Sequence, residues 1–176
     1  MSPGVSRQPD GFDEFAVAAW PRLLRSAYLL CGDHHLAEDL VQTALARTYA
    51  RWRHVRRDDA MAYARTVLVN LNIDRMRRKR PVEVRDALPD RADPARTSAR
   101  TEDRDEVVRL LAALTERERR VVVLRHYFDL SEADVARELG VAAGTVKSTL
   151  SRALAKLRVD ALSVERAQST GTGGAR

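Results

Sequence analysis

The chain has 176 residues, 32% of them charged and 44% hydrophobic, with a net charge of +6 and a pI near 10.1. This length holds one domain or two small ones, and the basic balance favours a polyanionic partner. A single cysteine, Cys31, excludes an internal disulfide and a multi-cysteine zinc site.

Residues 1–8 have nothing to bury and are expected to be disordered. MSPGVSRQPD lacks the apolar core of a signal peptide and no stretch reaches membrane-spanning length, so a cytoplasmic protein is expected. Asp10 or Asp13 can cap a helix over Phe12–Leu30, with Phe15, Ala19, Leu23, Leu24, Ala27 and Leu30 on its inner side. Pro21 within that span should kink the helix or split it. Cys31, closing an apolar run, reads as a buried, inert thiol. Gly32-Asp33 predicts a turn, with Asp33 capping a second helix from His34 to about Arg53. Leu36, Leu40, Ala44 and Thr48 make its core stripe, with Leu45 beside it. Glu38, Asp39 and Gln42 share a different, polar face. His34/Glu38 and His35/Asp39 have the spacing of metal ligands, but adjacent histidines point to different sides of a helix, and no metal is expected.

His54 to Asp59, HVRRDD, reads as a charged loop. The helix after it, Ala60 to about Lys79, is apolar in its first half at Met61, Ala64, Val67, Leu68 and Leu71. It ends in RMRRKR, where five of six residues are basic, more than the helix dipole calls for. Asn70, Asp74 and Arg77 or Arg78 share one face there and predict a nucleic-acid surface. From Pro81 to about Arg104, three prolines, many charges and little apolar spacing predict an extended linker between two domains.

The second domain starts near Asp105, with a helix marked by Val107, Val108, Leu110, Leu111 and Leu114. Thr115 and Glu118 form a capping box that opens TERERRVVVLRHYFDL, whose Val121, Val122, Leu124, Tyr127 and Phe128 can pack on the next two helices. Those two lie in SEADVARELGVAAGTVKSTLSRALAKL, a short helix, a turn at Gly140 and a second helix. Ser131 with Asp134 caps the short helix, and Val135, Ala136 and Leu139 are its apolar stripe. The second begins near Ala142–Gly144 and buries Val146, Leu150, Ala153, Leu154 and Leu157. Its opposite face carries Thr145, Lys147, Ser148, Ser151, Arg152 and Lys156, with no acidic residue from Gly140 to Arg158. A solvated helix mixes both signs of charge; a helix of donors and cations behind a glycine turn matches a helix-turn-helix whose second helix enters the DNA major groove. Beyond Asp160 the tail is expected to be disordered. The expected architecture is all-α: helical domains at 10–80 and 105–160, a linker at 81–104 and a tail at 161–176.

These residues together resemble the extracytoplasmic-function (ECF) sigma factors of bacterial RNA polymerase. The resemblance rests on AEDLVQTALARTYARW, VLVNLNIDRMRRKR and LTERERRVVVLRHYFDLSEADVARELGVAAGTVKSTLSRALAKLR, and covers nearly all of residues 12–158. It implies a protein that works by binding, with no cofactor. The face of Asp39 and Gln42, shaped by Leu40 and Val41, would dock on the β′ clamp helices of core polymerase, and the β flap is a second implied contact. Thr43 stands where many relatives carry an acid. The loop with Arg56 and Arg57 resembles the segment that captures a base flipped from the −10 element. Asn70, Asp74, Arg77 and Arg78 resemble the helix end that engages −10 DNA. Thr145, Lys147, Ser148, Ser151 and Arg152 resemble the −35 reader. Promoter DNA and core polymerase are therefore the implied partners, with an anti-sigma factor as a further one.

The main alternative is a conventional helix-turn-helix regulator in which the first half senses or dimerises. A sensor needs an apolar pocket or a phosphoacceptor site, whereas this half ends in an arginine run. No glycine-rich phosphate loop, nucleophile–histidine signature or acidic metal cluster points to an enzyme.

Overall fold

The computed structural model describes the backbone of residues 11–79 and 102–171, and the side chains of 11–79 and 106–159. The expected disorder of residues 1–8 and most of the expected linker lie outside these ranges. The chain divides into two compact units at Pro81/Val82, and the described residues of both are helical.

In the first unit, α1 (Phe12–Cys31), α2 (His34–Arg51) and α3 (Ala60–Lys79) each pack on the other two. Two single-turn 3₁₀ segments, Trp52–His54 and Arg57–Asp59, join α2 to α3. The predicted stripes meet in the core: Leu23, Ala27, Ala44, Ala64 and Leu68 are fully buried. Asp33 caps α2 as expected, its carboxylate accepting from the Leu36 N–H at 2.9 Å. The Thr48 hydroxyl, buried in the core, donates to the Ala44 carbonyl at 2.8 Å, which lets a polar residue sit on the stripe without an orphaned group. Cys31 is buried, its thiol turned to the Asp33 carbonyl.

One expectation for α1 is narrowed and one corrected. Of the two outcomes expected at Pro21, the helix does not split but runs unbroken. Pro21 lies on the exposed side, and Val17, whose carbonyl loses its partner, is 76% exposed, so water can replace the missing N–H. Nor does Asp13 cap it; Gly11 precedes the helix with φ 81°, and Asp13 sits in the first turn, where a carboxylate favours the dipole.

The second unit holds α4 (Glu102–Ala112), α5 (Glu116–Val122), α6 (Glu132–Leu139) and α7 (Ala143–Gly171). α7 is its centre, packing on α4, α5 and α6. The Thr115/Glu118 capping box is complete, and Ser131 caps α6 by accepting from the Asp134 N–H. Gly140 ends α6 with φ 65°. Arg119 is buried and donates from Nε to the Leu111 carbonyl at 2.9 Å, and more loosely to Ala112 and Leu114. It thus adds a side-chain donor to carbonyls at and just past the end of α4, of which that of Leu111 also accepts from the Leu114 N–H at 3.1 Å.

Three boundaries differ from expectation. α4 begins at Glu102, ahead of Asp105. α5 does not continue as a regular helix but widens into a π turn over Val123–Tyr127, closed by the Phe128 N–H on the Val123 carbonyl at 3.2 Å. The β-branched run Val121–Val123 crowds a regular turn, and Arg125 supplies a guanidinium donor to the Leu130 carbonyl just beyond. α7 runs on to Gly171 and does not stop near Asp160. No proline or glycine interrupts it between Gly144 and Gly171, so nothing in the backbone ends it sooner. Among the described residues no helix is long and apolar enough to cross a membrane.

Two glycines in the helix-turn-helix predict opposite responses to the same change. Nothing lies within 4 Å of where a Cβ on Gly140 or Gly144 would sit, so sterics drop out of both. Gly140→Ala should destabilise the unit by about 1 kcal/mol through its left-handed φ alone. Gly144→Ala, in the first turn of α7, should stabilise it by a few tenths of a kcal/mol to about 1. Urea unfolding of the two variants checks the sign.

Candidate nucleic-acid interface

The reading face of α7 is set by the residues the helix must bury. Val146, Thr149 and Ala153 are 0%, 1% and 0% exposed, while Leu150, Leu154 and Leu157 are half-buried. Thr149 is the residue that periodicity among apolar side chains missed. With that face inward, Lys147, Ser148, Ser151 and Arg152 are all exposed, and Thr145 is half-buried. The Ser148 hydroxyl donates to the Thr145 carbonyl at 3.1 Å, and the Arg152 guanidinium approaches the Thr149 hydroxyl at 3.5 Å. Lys156 is held differently: its Nζ donates to Glu118 at 2.8 Å. The same Glu118 oxygen accepts from the Thr115 N–H (2.9 Å) and hydroxyl (3.0 Å). An open groove of about 540 Å³ runs between the start of α5 and α7, bringing Arg117, Arg152 and Lys156 together.

Burial works to raise the pKa of Glu118, but the hydrogen bonds from Lys156 and Thr115 together outweigh it and hold the carboxyl below its ordinary range. Asp134 is also lowered, first by the Ser131 hydroxyl and then by the Arg137 guanidinium.

In the first unit, Asn70, Asp74, Arg77 and Arg78 are all exposed and share the outer side of α3. Arg56 and Arg57 are exposed in the segment between α2 and α3, with Arg56 in a loose ion pair to Asp59 at 3.8 Å. On α2, Asp39 and Gln42 are exposed side by side. Leu40 and Val41 are not part of that surface: they are 7% and 0% exposed and belong to the core. They can shape the face only from beneath. His34 stacks on Tyr28, ring centroids 3.8 Å apart. Phe12, Phe15, Tyr49 and Trp52 form an aromatic cluster that hydrophobic stripes gave no reason to single out, because its members come from two helices and a loop.

Comparison with known proteins matches residues 17–82 to sigma-70 region 2 and residues 104–157 to sigma-70 region 4. The chain is 42% identical over 149 residues to the RNA polymerase sigma-E factor of Streptomyces coelicolor, spanning 84% of each. It is 34% identical over 158 residues to the ECF RNA polymerase sigma factor SigL of Mycobacterium tuberculosis, covering 84% of this chain and 85% of that one. The chain belongs to the ECF sigma factors.

A solved neighbour is the sigma factor RpoE of Bartonella quintana in complex with the anti-sigma factor NepR. It superposes with a TM-score of 0.66 at 27% identity, over 85% of this sigma factor and 96% of that chain. The region 2 match falls on the three-helix unit and the region 4 match on the helix-turn-helix unit, so the first half of this sigma factor is a region 2 domain and not a sensor.

Because the folded pKa of Glu118 lies below its ordinary value of 4.5, its contacts stabilise region 4 above that pH. The contribution is lost as pH falls through the depressed folded value. Glu118→Gln should therefore show a shallower fall in thermal midpoint than the parent between about pH 7 and about pH 3. Melting followed by circular dichroism across that range checks it.

Proposed function

We propose that this sigma factor docks on core RNA polymerase through Asp39 and Gln42, which lie against the β′ clamp helices, with the β flap as the contact for region 4. Leu40 and Val41 hold that face in shape from the core. Region 4 reads the −35 element with Thr145, Lys147, Ser148, Ser151 and Arg152. The side chains of Asn70, Asp74, Arg77 and Arg78 engage −10 DNA, and Arg56 and Arg57 flank a base drawn out of the stack. The protein acts in the cytoplasm, where its polymerase is, and does no chemistry of its own.

The observation that carries this reading is the outward face of α7. Four exposed donors and cations, Lys147, Ser148, Ser151 and Arg152, stand together on a helix free of acids from Gly140 to Arg158. Guanidinium and ammonium groups suit the acceptors of guanine in the major groove, and hydroxyls suit either base edge or phosphate. Each bidentate base contact contributes about 1–3 kcal/mol of discrimination, so a few such contacts suffice for promoter choice. Arg117, at the groove beside Arg152, adds a cation where a phosphate would pass, contributing affinity and salt dependence but little selectivity. An anti-sigma partner is proposed by analogy with the Bartonella quintana neighbour, a sigma factor in complex with an anti-sigma factor.

The test separates the two surfaces. Lys147→Ala and Arg152→Ala should each lower −35-dependent transcription about tenfold while leaving core binding unchanged. Asp39→Ala and Gln42→Ala should weaken co-elution with sigma-free core polymerase, also by about tenfold. An exchange of the two phenotypes would sink the residue assignments.

A further inference from the structure

The segment that carries Arg56 and Arg57 has little of its own to stand on. Arg53, His54, Arg56, Arg57, Asp58 and Asp59 are exposed, and only Trp52 at its start and Ala60 at its end are buried. Within it the Val55 N–H donates to the Trp52 carbonyl at 3.3 Å, the Asp59 N–H donates to the Arg56 carbonyl at 3.0 Å, and Arg56 pairs loosely with Asp59. Two of its residues, however, reach far back along the chain, and both arrive at the first turn of α1. Trp52 meets Phe12 edge-on at 5.1 Å between ring centroids and Phe15 at 5.0 Å. Phe12 in turn stands edge-on to Tyr49 at 5.0 Å, near the end of α2. Arg57 lies against Gly11: the point where a Cβ would sit is 3.5 Å from its Cζ and from both terminal nitrogens. Gly11 holds φ at 81°, a conformation that a side chain would strain, so the backbone angle calls for glycine, while a Cβ there would make only ordinary contact with Arg57.

We infer that the first turn of α1, through Gly11, Phe12 and Phe15, is the positioning element for the base-capturing segment 52–59. The inference rests on the reading of Arg56 and Arg57 proposed above and goes beyond it. A segment that closes round an unstacked base gains selectivity only if its geometry is set before the base arrives, since ordering it on binding would cost part of the binding energy. Here α2 and α3 fix the two ends of the segment, and the start of α1 adds contacts to Trp52 and Arg57. Phe12 and Phe15 are positioning residues: they hold the start of the segment through Trp52, and Gly11 lies against Arg57.

The test uses holoenzyme reconstituted from full-length protein and sigma-free core polymerase, on a promoter fragment recovered by run-off transcription and randomised at each −10 position in turn. Phe12→Ala should reduce selectivity at one −10 position by about tenfold, the same position that Arg57→Ala affects, with core binding and −35 dependence unchanged. Phe12→Tyr should restore selectivity to within about twofold, because it keeps the ring that meets Phe15, Tyr49 and Trp52. In the free protein, Phe12→Ala should speed amide exchange at Val55 and Asp59 but not along α2. Gly11→Ala leaves every core side chain in place and should reproduce the selectivity loss, which keeps the test open if Phe12→Ala folds poorly. Unchanged selectivity in Phe12→Ala and Gly11→Ala, with Arg57→Ala still impaired, would overturn the inference and leave the base-capture reading standing. A loss spread evenly over core binding, −35 and −10 dependence would overturn it too, since it would mean support of the fold alone. If Arg56→Ala and Arg57→Ala change no −10 position, the base-capture reading falls, and the inference with it.

Discussion

One carboxylate, Glu118, joins the start of α5 to the middle of α7, and the helix-turn-helix depends on that junction. It closes the capping box of its own helix while accepting from Lys156 at 2.8 Å, so a local cap and a long-range tie share one oxygen. The next residue, Arg119, turns the other way and binds the carbonyls that end α4. Two adjacent charged residues, both buried, therefore fix α5 against helices on either side of it. Neither could be buried without its partners, because a desolvated charge left unpaired is among the most costly defects a core can hold. The orientation of the reading helix is thus set by polar groups as well as by the aliphatic core around Val121, Leu124 and Val146.

The first unit divides its residues more simply. Small and aliphatic side chains face inward, and the outward faces of α2 and α3 are left to carry charge and amide groups. Arginine supplies nearly all of the positive charge, and its planar fork matches phosphate and guanine edges better than a lysine ammonium would. Binding surfaces of this kind need no perturbed titrating group. Among the described residues, Glu118 and Asp134, whose carboxyls are held below their ordinary range, both sit in helix caps of region 4, where they hold helix ends in place.

Much of this was legible because caps and stripes are local rules. Asp33, Thr115 with Glu118, Ser131 and Gly140 all act within one turn of themselves, and each marks a boundary that the structure keeps. The stripes of α1, α2 and α3 were legible because burial repeats at helical spacing. Other features depend on contacts from across the fold. Pro21 leaves its helix whole because its side of α1 is open to water. Thr149 is buried on a helix that packs on α4, α5 and α6, although its hydroxyl reads as surface. Leu40 and Val41 sit in a motif associated with docking, yet their side chains point into the core. In the aromatic cluster of Phe12, Phe15, Tyr49 and Trp52 only Phe15 lies on a predicted stripe, and Arg119 reaching back to α4 has no periodic signature.

The length of α7 has a mechanical consequence. At about 1.5 Å per residue, its 29 residues span about 43 Å, several times the roughly 12 Å width of a major groove. Only the first few turns can read bases. The remainder is a strut, and any load placed on its far end would reach the DNA as torque on the reading turns. A molecule that gripped the last turns of α7 could then tilt the −35 reader without covering a single DNA-contacting side chain.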